Sequence, residues 1–174
     1  MRKTIVGVMG PGETATDRDR QTAFALGEQI AQRGWILLTG GRAVGVMEAA
    51  SRGAKQAGGL TIGILPGTTD KGMSEAIDIP ILTGMGSARN HINILTSNVI
   101  IACGIGAGTA SEVALALKAQ KPVILMNVDR LTAQFFRQLS SNDPTGGTTP
   151  HRIWVAERVE EAIEQVAAIL KNRI

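Results

Sequence analysis

The 174-residue sequence predicts an α/β fold, a Rossmann-like doubly wound parallel sheet with helices on both faces. Three observations lead there. Short apolar runs rich in Val and Ile recur along the chain, and they are nearly continuous rather than alternating, as strands buried on both faces must be. Stretches with a helical apolar period separate them, which is the pattern of β-α-β crossovers. Three glycine-rich loops, Gly10-Pro-Gly12, Gly40 to Gly45 and Gly104 to Gly108, follow apolar runs directly.

Thr4 to Met9 reads as a buried strand that breaks at Gly10-Pro-Gly12. Thr16 to Arg33 follows as a helix, with Ala23, Leu26 and Ile30 on one face and Gly34 as its stop. Trp35 to Thr39 is a second strand, and Val46 to Ala57 a helix ended by Gly58-Gly59. Leu60 to Leu65 is a third strand, stopped by Pro66-Gly67. Thr68 to Ser87 has no clear period beyond a short strand at Ile79 to Leu82 and a loop at Gly84-Met-Gly86. Ala88 to Ser97 is read as a helix, Asn98 to Cys103 as a strand, and Thr109 to Ala119 as the helix after the third glycine loop. Pro122 to Met126 is a strand, Thr132 to Leu139 a short helix, and Ser140 to Pro150 a polar loop. Arg152 to Ala156 and Val159 to Leu170 close the sequence as strand and helix.

A chain of this length fits one domain spanning residues 1–174. Hydrophobic residues at 44% and charged residues at 19% match a soluble globular protein rather than a disordered or fibrous one. The N-terminus lacks an apolar leader, no apolar run reaches about 18 residues, and one cysteine cannot form an internal disulfide. A cytoplasmic protein that avoids membranes is the expectation. The formal net charge of +3 is spread without three successive basic residues, and aromatics are 3%, so neither a basic stripe nor a stacking platform for nucleic acid is present. The excess suits an anionic small ligand.

Ligands of such sheets bind outside the carboxyl ends of the strands, where strand order reverses. All three glycine loops should line that edge. Glycines there let backbone N–H groups approach an anion, and the following helix adds the positive end of its dipole. Gly104-Ile-Gly-Ala-Gly-Thr109 is thus a candidate phosphate cradle, although it matches neither G-x-G-x-x-G nor the P-loop. Thr109 and Glu112 also have T-x-x-E spacing. On spacing alone the preferred reading is a capping box, in which each side chain satisfies an orphan N–H at a helix start, and such a carboxylate can still face a pocket. Arg42, inside the second loop, and Arg89, in a stretch with few other charges, are candidate anion contacts. Cys103 reads as a buried, inert thiol. His91 and His151 stand far apart without ligand spacing, so no metal site is expected.

Gly10-Pro-Gly12, Thr39-Gly-Gly41 with Gly45-Val-Met47, Ser87-Ala-Arg-Asn90 and Gly106-Ala-Gly-Thr-Ala-Ser-Glu112 together resemble the LOG-like superfamily of Rossmann folds, also called lysine decarboxylase-like by an old misannotation. Within it the sequence looks most like the molybdenum cofactor carrier proteins, a branch related to the DprA-like proteins. The resemblance implies binding, protection and delivery of molybdopterin as cargo, with no catalytic metal. It implies contacts from Gly10, Pro11, Gly12, Thr39, Gly40, Gly41, Arg42, Gly45, Val46, Met47, Arg89, Gly106, Ala107, Gly108, Thr109 and Glu112. Partners implied are a phosphate-bearing small molecule, a molybdoenzyme or cofactor-insertion protein as transient acceptor, and further copies of the chain in a dimer or tetramer. A sister branch hydrolyses nucleoside 5'-monophosphates to release ribose 5-phosphate, and there Glu112 and Arg89 would be catalytic. Its signature P-G-G-x-G-T-x-x-E is kept here only from G-x-G-T onward. Gly104-Ile105 stands in place of Pro-Gly, and Asn90 in place of a lysine.

Overall fold

The structure is a computed structural model that describes residues 3–141 and 152–172. Seven strands, β1 (Ile5–Met9), β2 (Ile36–Thr39), β3 (Thr61–Leu65), β4 (Ile79–Leu82), β5 (Val99–Cys103), β6 (Val123–Met126) and β7 (Ile153–Val155), form one sheet. Their order is β4-β3-β2-β1-β5-β6-β7, and every pairing is parallel. Six helices cover it: α1 (Asp17–Gln32), α2 (Gly45–Gln56), α3 (Asn90–Thr96), α4 (Ala107–Lys118), α5 (Arg130–Ser141) and α6 (Val159–Lys171). The expected fold class is therefore observed. The loop expected at Ser140 to Pro150 lies mostly outside the described residues, as does His151.

Alternate residues of the buried strands serve two cores. Val6, Val8, Val99, Ile101 and Cys103 pack against α1, α2 and α6 through Leu26, Ile30, Ala50, Ala54 and Ile163. Ile100, Ala102, Val123 and Leu125 pack on the opposite face against Ile94, Val113, Ala116 and Phe136 of α3, α4 and α5. Burial on both faces is why β5 and β6 carry no polar alternation. β4 is exposed along its length and tolerates Pro80, as an edge strand can.

Helix boundaries moved where capping chemistry was not read from sequence. α1 starts on a capping box: Asp19 N donates to Thr16 Oγ1 at 3.1 Å, and Thr16 N donates to Asp19 Oδ2 at 3.0 Å. α5 begins at Arg130 instead of Thr132 because the Asp129 carboxylate accepts from Thr132 N at 2.8 Å. The segment read as one helix from Ala88 is a 3-10 turn, Gly86–Arg89, leading into α3.

The contact of α1 with α2 is unusually close because each contributes a glycine. A Cβ on Gly27 would lie 2.0 Å from Ala50 O, and one on Gly53 would lie 2.0 Å from Phe24 O. Backbone meets backbone there, so neither atom has a flexible side chain through which to yield. Gly53→Ala should therefore lower unfolding stability by about 1–3 kcal/mol or more, despite the better helix propensity of alanine. A urea melt with an unchanged midpoint would refute that account of the crossing.

Candidate functional site

β1 and β5 are neighbours at the centre of the sheet, with Val6 opposite Val99 and Met9 opposite Ala102. The chain leaves β1 towards α1 on one face and leaves β5 towards α4 on the other. The two exits diverge, so a crevice opens between them. A cleft of about 420 Å3 occupies it.

All three glycine loops reach this cleft. From the first come Gly10, Pro11 and Gly12, from the second and the start of α2 Gly40, Arg42 and Met47, and from the third and the start of α4 Gly106, Ala107, Gly108, Thr109 and Glu112. Arg89 completes the expected set that lines it. Thr39, Gly41, Gly45 and Val46 do not line it; they build the wall behind. Thr39 Oγ1 accepts from Gly41 N at 3.1 Å and lies 3.3 Å from Ser51 Oγ. Gly45 has φ +56, and a Cβ there would lie 2.1 Å from Gly12 O, while Val46 N donates to Pro11 O at 3.0 Å. These contacts lock the first loop onto the start of α2.

Met9, Glu13, Thr14, Pro66, Gly86, Ser87 and Asn90 also line the cleft and were not among the expected residues. Glu13 and Thr14 simply continue the first loop, and Pro66 ends β3, so their positions were readable once the sheet edge was assigned. Gly86 and Ser87 arrive through the 3-10 turn, whose path no sequence period announced. The irregular segment before that turn pins the loop bearing Arg42, because Ser74 N donates to Gly41 O and Ala43 N to Gly72 O, each at 2.9 Å.

Arg89 is 8% exposed, and its guanidinium lies against the backbone of Gly40. A Cβ on Gly40 would sit 2.5 Å from Nη1 and 2.7 Å from Met47 Sδ, so only glycine leaves room for this placement. Its Nε is buried without a hydrogen-bond partner among the described residues. Burial pushes the Arg89 pKa below its ordinary value; the Glu112 charge opposes that and the Arg42 charge adds to it. Arg42 itself pairs with Glu13 at 2.5 Å across the half-exposed mouth.

The capping box expected of Thr109 and Glu112 is absent. α4 begins at Ala107 with Gly106 as its N-cap, and no side chain caps it. Thr109 thus falls at the third helical position, where its buried Oγ1 has no hydrogen-bond partner among the described residues. Two small residues, Ala107 and Gly108, let the helix start before the threonine, and the Glu112 side chain turns inward. Asn93 Nδ2 of α3 donates to Glu112 Oε1 at 2.8 Å. Glu112 is 6% exposed, and burial pushes its carboxyl up to about 7, against the Asn93 hydrogen bond and the Arg89 charge. Cys103 is buried with its thiol pushed up to about 12 by burial and then by Asp19, in keeping with an inert side chain.

A carboxyl that titrates near 7 when folded and near 4.5 when unfolded binds more protons in the folded state between those values. Glu112 therefore lowers stability progressively as pH rises from about 4.5 to about 7, with no further loss above. Glu112→Gln keeps an acceptor for Asn93 and cannot ionise. Its stability advantage over the natural protein should grow across that interval and then level off; urea melts showing a constant difference would contradict the buried-acid assignment.

Three likenesses bear on this geometry. The molybdenum cofactor binding protein of the phototrophic bacterium Rippkaea orientalis superposes with TM-score 0.91 and 57% identity, covering 98% of this chain and 99% of that one. The molybdenum cofactor carrier protein of Chlamydomonas reinhardtii superposes with TM-score 0.88 and 50% identity, again covering 98% and 99%. An uncharacterized protein of Archaeoglobus fulgidus is 45% identical over 123 residues, which is 71% of this chain and 80% of that protein. The SLOG cluster4 family matches residues 3–163, and the chain belongs to that family.

Proposed function

We propose that this protein binds molybdenum cofactor in the cleft, holds it away from water and oxygen, and delivers it to a molybdoenzyme or a cofactor-insertion protein. The observation that carries the reading is high identity along nearly the whole chain to proteins that bind and carry this cofactor. The cleft suits such a cargo. The uncapped N-terminus of the 12-residue helix α4 offers backbone donors and a positive dipole end to the terminal phosphate. Arg42 and Arg89 offer charge to the anionic metal end. A Cβ on Gly108 would meet nothing within 4 Å, so the space beside this turn is open to a ligand.

The decisive experiment is an anaerobic titration with intact molybdenum cofactor, read as protection of its capacity to reconstitute a cofactor-free molybdoenzyme. Saturable protection at one equivalent per subunit, or a simple fraction of it, is expected. Gly108→Ala should keep the fold or stabilise it by up to about 1 kcal/mol, since it adds helix propensity without a clash, yet weaken cofactor binding by filling the phosphate position. Undiminished affinity in that variant would move the phosphate elsewhere.

A second reading, hydrolysis of nucleoside 5'-monophosphates, is favoured by the convergence of Glu112 and Arg89 in one cleft with a carboxyl titrating near 7. Asn90, which replaces a lysine, donates through Nδ2 to Ser111 Oγ at 3.2 Å and carries no charge. Release of ribose 5-phosphate that collapses in Glu112→Gln would establish hydrolysis in place of carriage.

Self-association accompanies the carrier reading. The expected cue, Ala114 to Leu117, is mainly core: Ala116 is buried, and Leu115 and Leu117 pack on the hydrophobic cluster. The exposed apolar side chains available to such contacts are Leu60, Ile79, Ile81, Leu82, Met85, Leu95, Leu131, Phe135 and Leu139. Light scattering at micromolar protein should give twice or four times the chain mass, and a monomer would remove this part of the proposal. No helix among the described residues is long and apolar enough to cross a membrane.

A further inference from the structure

The charged side chains lining the cleft, among the described residues, are Glu13, Arg42, Arg89 and Glu112. With both acids ionised these charges cancel, and a neutral cleft has little attraction for an anion. The two acids differ in kind. Glu13 is exposed at the mouth and already paired with Arg42. Glu112 lies at the floor, forms no ion pair among the described residues, and is held on one side only. Asn93 occupies Oε1, while Oε2 has no hydrogen-bond partner among the described residues.

We propose that Glu112 is a specificity-determining residue that meets an anionic oxygen of the ligand as a neutral carboxylic acid, so that the anion and one proton enter the cleft together. Asn93 is its positioning residue. An amide N–H on Oε1 directs the proton to Oε2, which then donates to the ligand oxygen. The proton comes from solvent and returns there on release; no bond of the ligand is broken. Protonation leaves the cleft with one net positive charge and frees the field of Arg89 from its acidic neighbour. The buried Nε–H of Arg89 and the Thr109 hydroxyl, both without partners among the described residues, belong to residues that line the same cleft. A multiply charged oxyanion, such as a phosphate monoester or an oxo-metal group, is the ligand class this arrangement selects over a neutral molecule.

The groups that face Glu112 agree with this. Arg89 and Asn93 come from the 3-10 turn and α3, Thr109 from its own helix, and Arg42 with Glu13 from the loops after β2 and β1. His91, on α3, is exposed and does not line the cleft. Burial, even against the Asn93 hydrogen bond and the Arg89 charge, lifts the carboxyl to about 7, so an adjacent anion needs to add little to keep it protonated at neutral pH.

The inference rests on the carrier reading only through the anionic character of the cargo, and sulfate tests it separately because sulfate does not titrate near neutral pH. The carboxyl carbons of glutamate-labelled protein are followed by NMR as pH is raised, with and without saturating sulfate, and Glu112→Gln identifies the resonance. Sulfate should raise the Glu112 titration point by about one pH unit or more. Its Kd should weaken as pH rises from the titration point of the free protein to that of the complex, by about tenfold for each pH unit between the two, then level off, and should stay flat throughout in Glu112→Gln. Asn93→Ala should shift this pH profile and not merely scale it, which a purely structural role would not do. If Glu112→Gln fails to fold, calorimetry of the natural protein in two buffers of different ionisation enthalpy, at a pH midway between the free and sulfate-bound titration points, counts the protons; about half a proton or more per sulfate is expected. An unmoved titration point, the same pH slope in the Gln variant, no proton uptake, or no sulfate binding would each overturn the proposal. Cofactor protection without proton uptake defeats this inference alone, and proton-linked sulfate binding without cofactor protection defeats the carrier reading alone.

Discussion

The pairing of β1 with β5 is the constraint on which the rest of the molecule depends. These strands are buried on both faces, and their parallel register sets the exits of two glycine loops side by side. Because α1 and α4 then cover opposite faces, the backbone must separate just beyond Met9 and Cys103. The cleft is the gap this separation leaves. Its position follows from topology, before any side chain is considered.

Close backbone contact turns that gap into a site of defined shape. Gly10 carries no Cβ because Cys103 O and Val46 would lie 2.5 and 2.6 Å from it, so the first loop, the end of β5 and the start of α2 meet directly. Gly40 performs the same service for a charged group, leaving the space that the Arg89 guanidinium fills. Burying arginine carries a desolvation cost, visible in the lowered pKa of Arg89 and moderated by Glu112 across the cleft floor. Polar atoms left without partners among the described residues on Arg89 and Thr109 concentrate this cost where a ligand would relieve it.

Electrostatics divides the cleft into a mouth and a floor. At the mouth, the pair between Glu13 and Arg42 is solvated and so of small energetic weight. At the floor, burial disfavours the charged carboxylate more than the Asn93 hydrogen bond and the Arg89 charge favour it, which is why Glu112 titrates far from an ordinary carboxylate. Under the proposed reading, a carrier needs both donors firm enough to hold an anion and a means of weakening the hold. The proposed proton exchange at Glu112 would supply the second without moving the backbone.

The sequence by itself determined the fold class, most element positions and the edge of the sheet that bears the site. Continuous Val and Ile runs, helical periods and glycine punctuation are local signals, each legible within about a dozen residues. It also singled out Arg42 inside a glycine loop, Arg89 in a stretch with few other charges, and Glu112 through its spacing from Thr109. Tertiary structure alone decided what those residues do. The T-x-x-E spacing of Thr109 and Glu112 pointed to a cap, yet the helix starts at Ala107 and Glu112 turns to Asn93, a partner 19 positions earlier in the chain. Likewise, nothing local separates Thr39, which braces a loop against Ser51, from Gly40, which gives Arg89 its place. Hydrogen bonding within one helix turn can be read from spacing, whereas burial and the pairing of distant groups depend on which segments the sheet brings together.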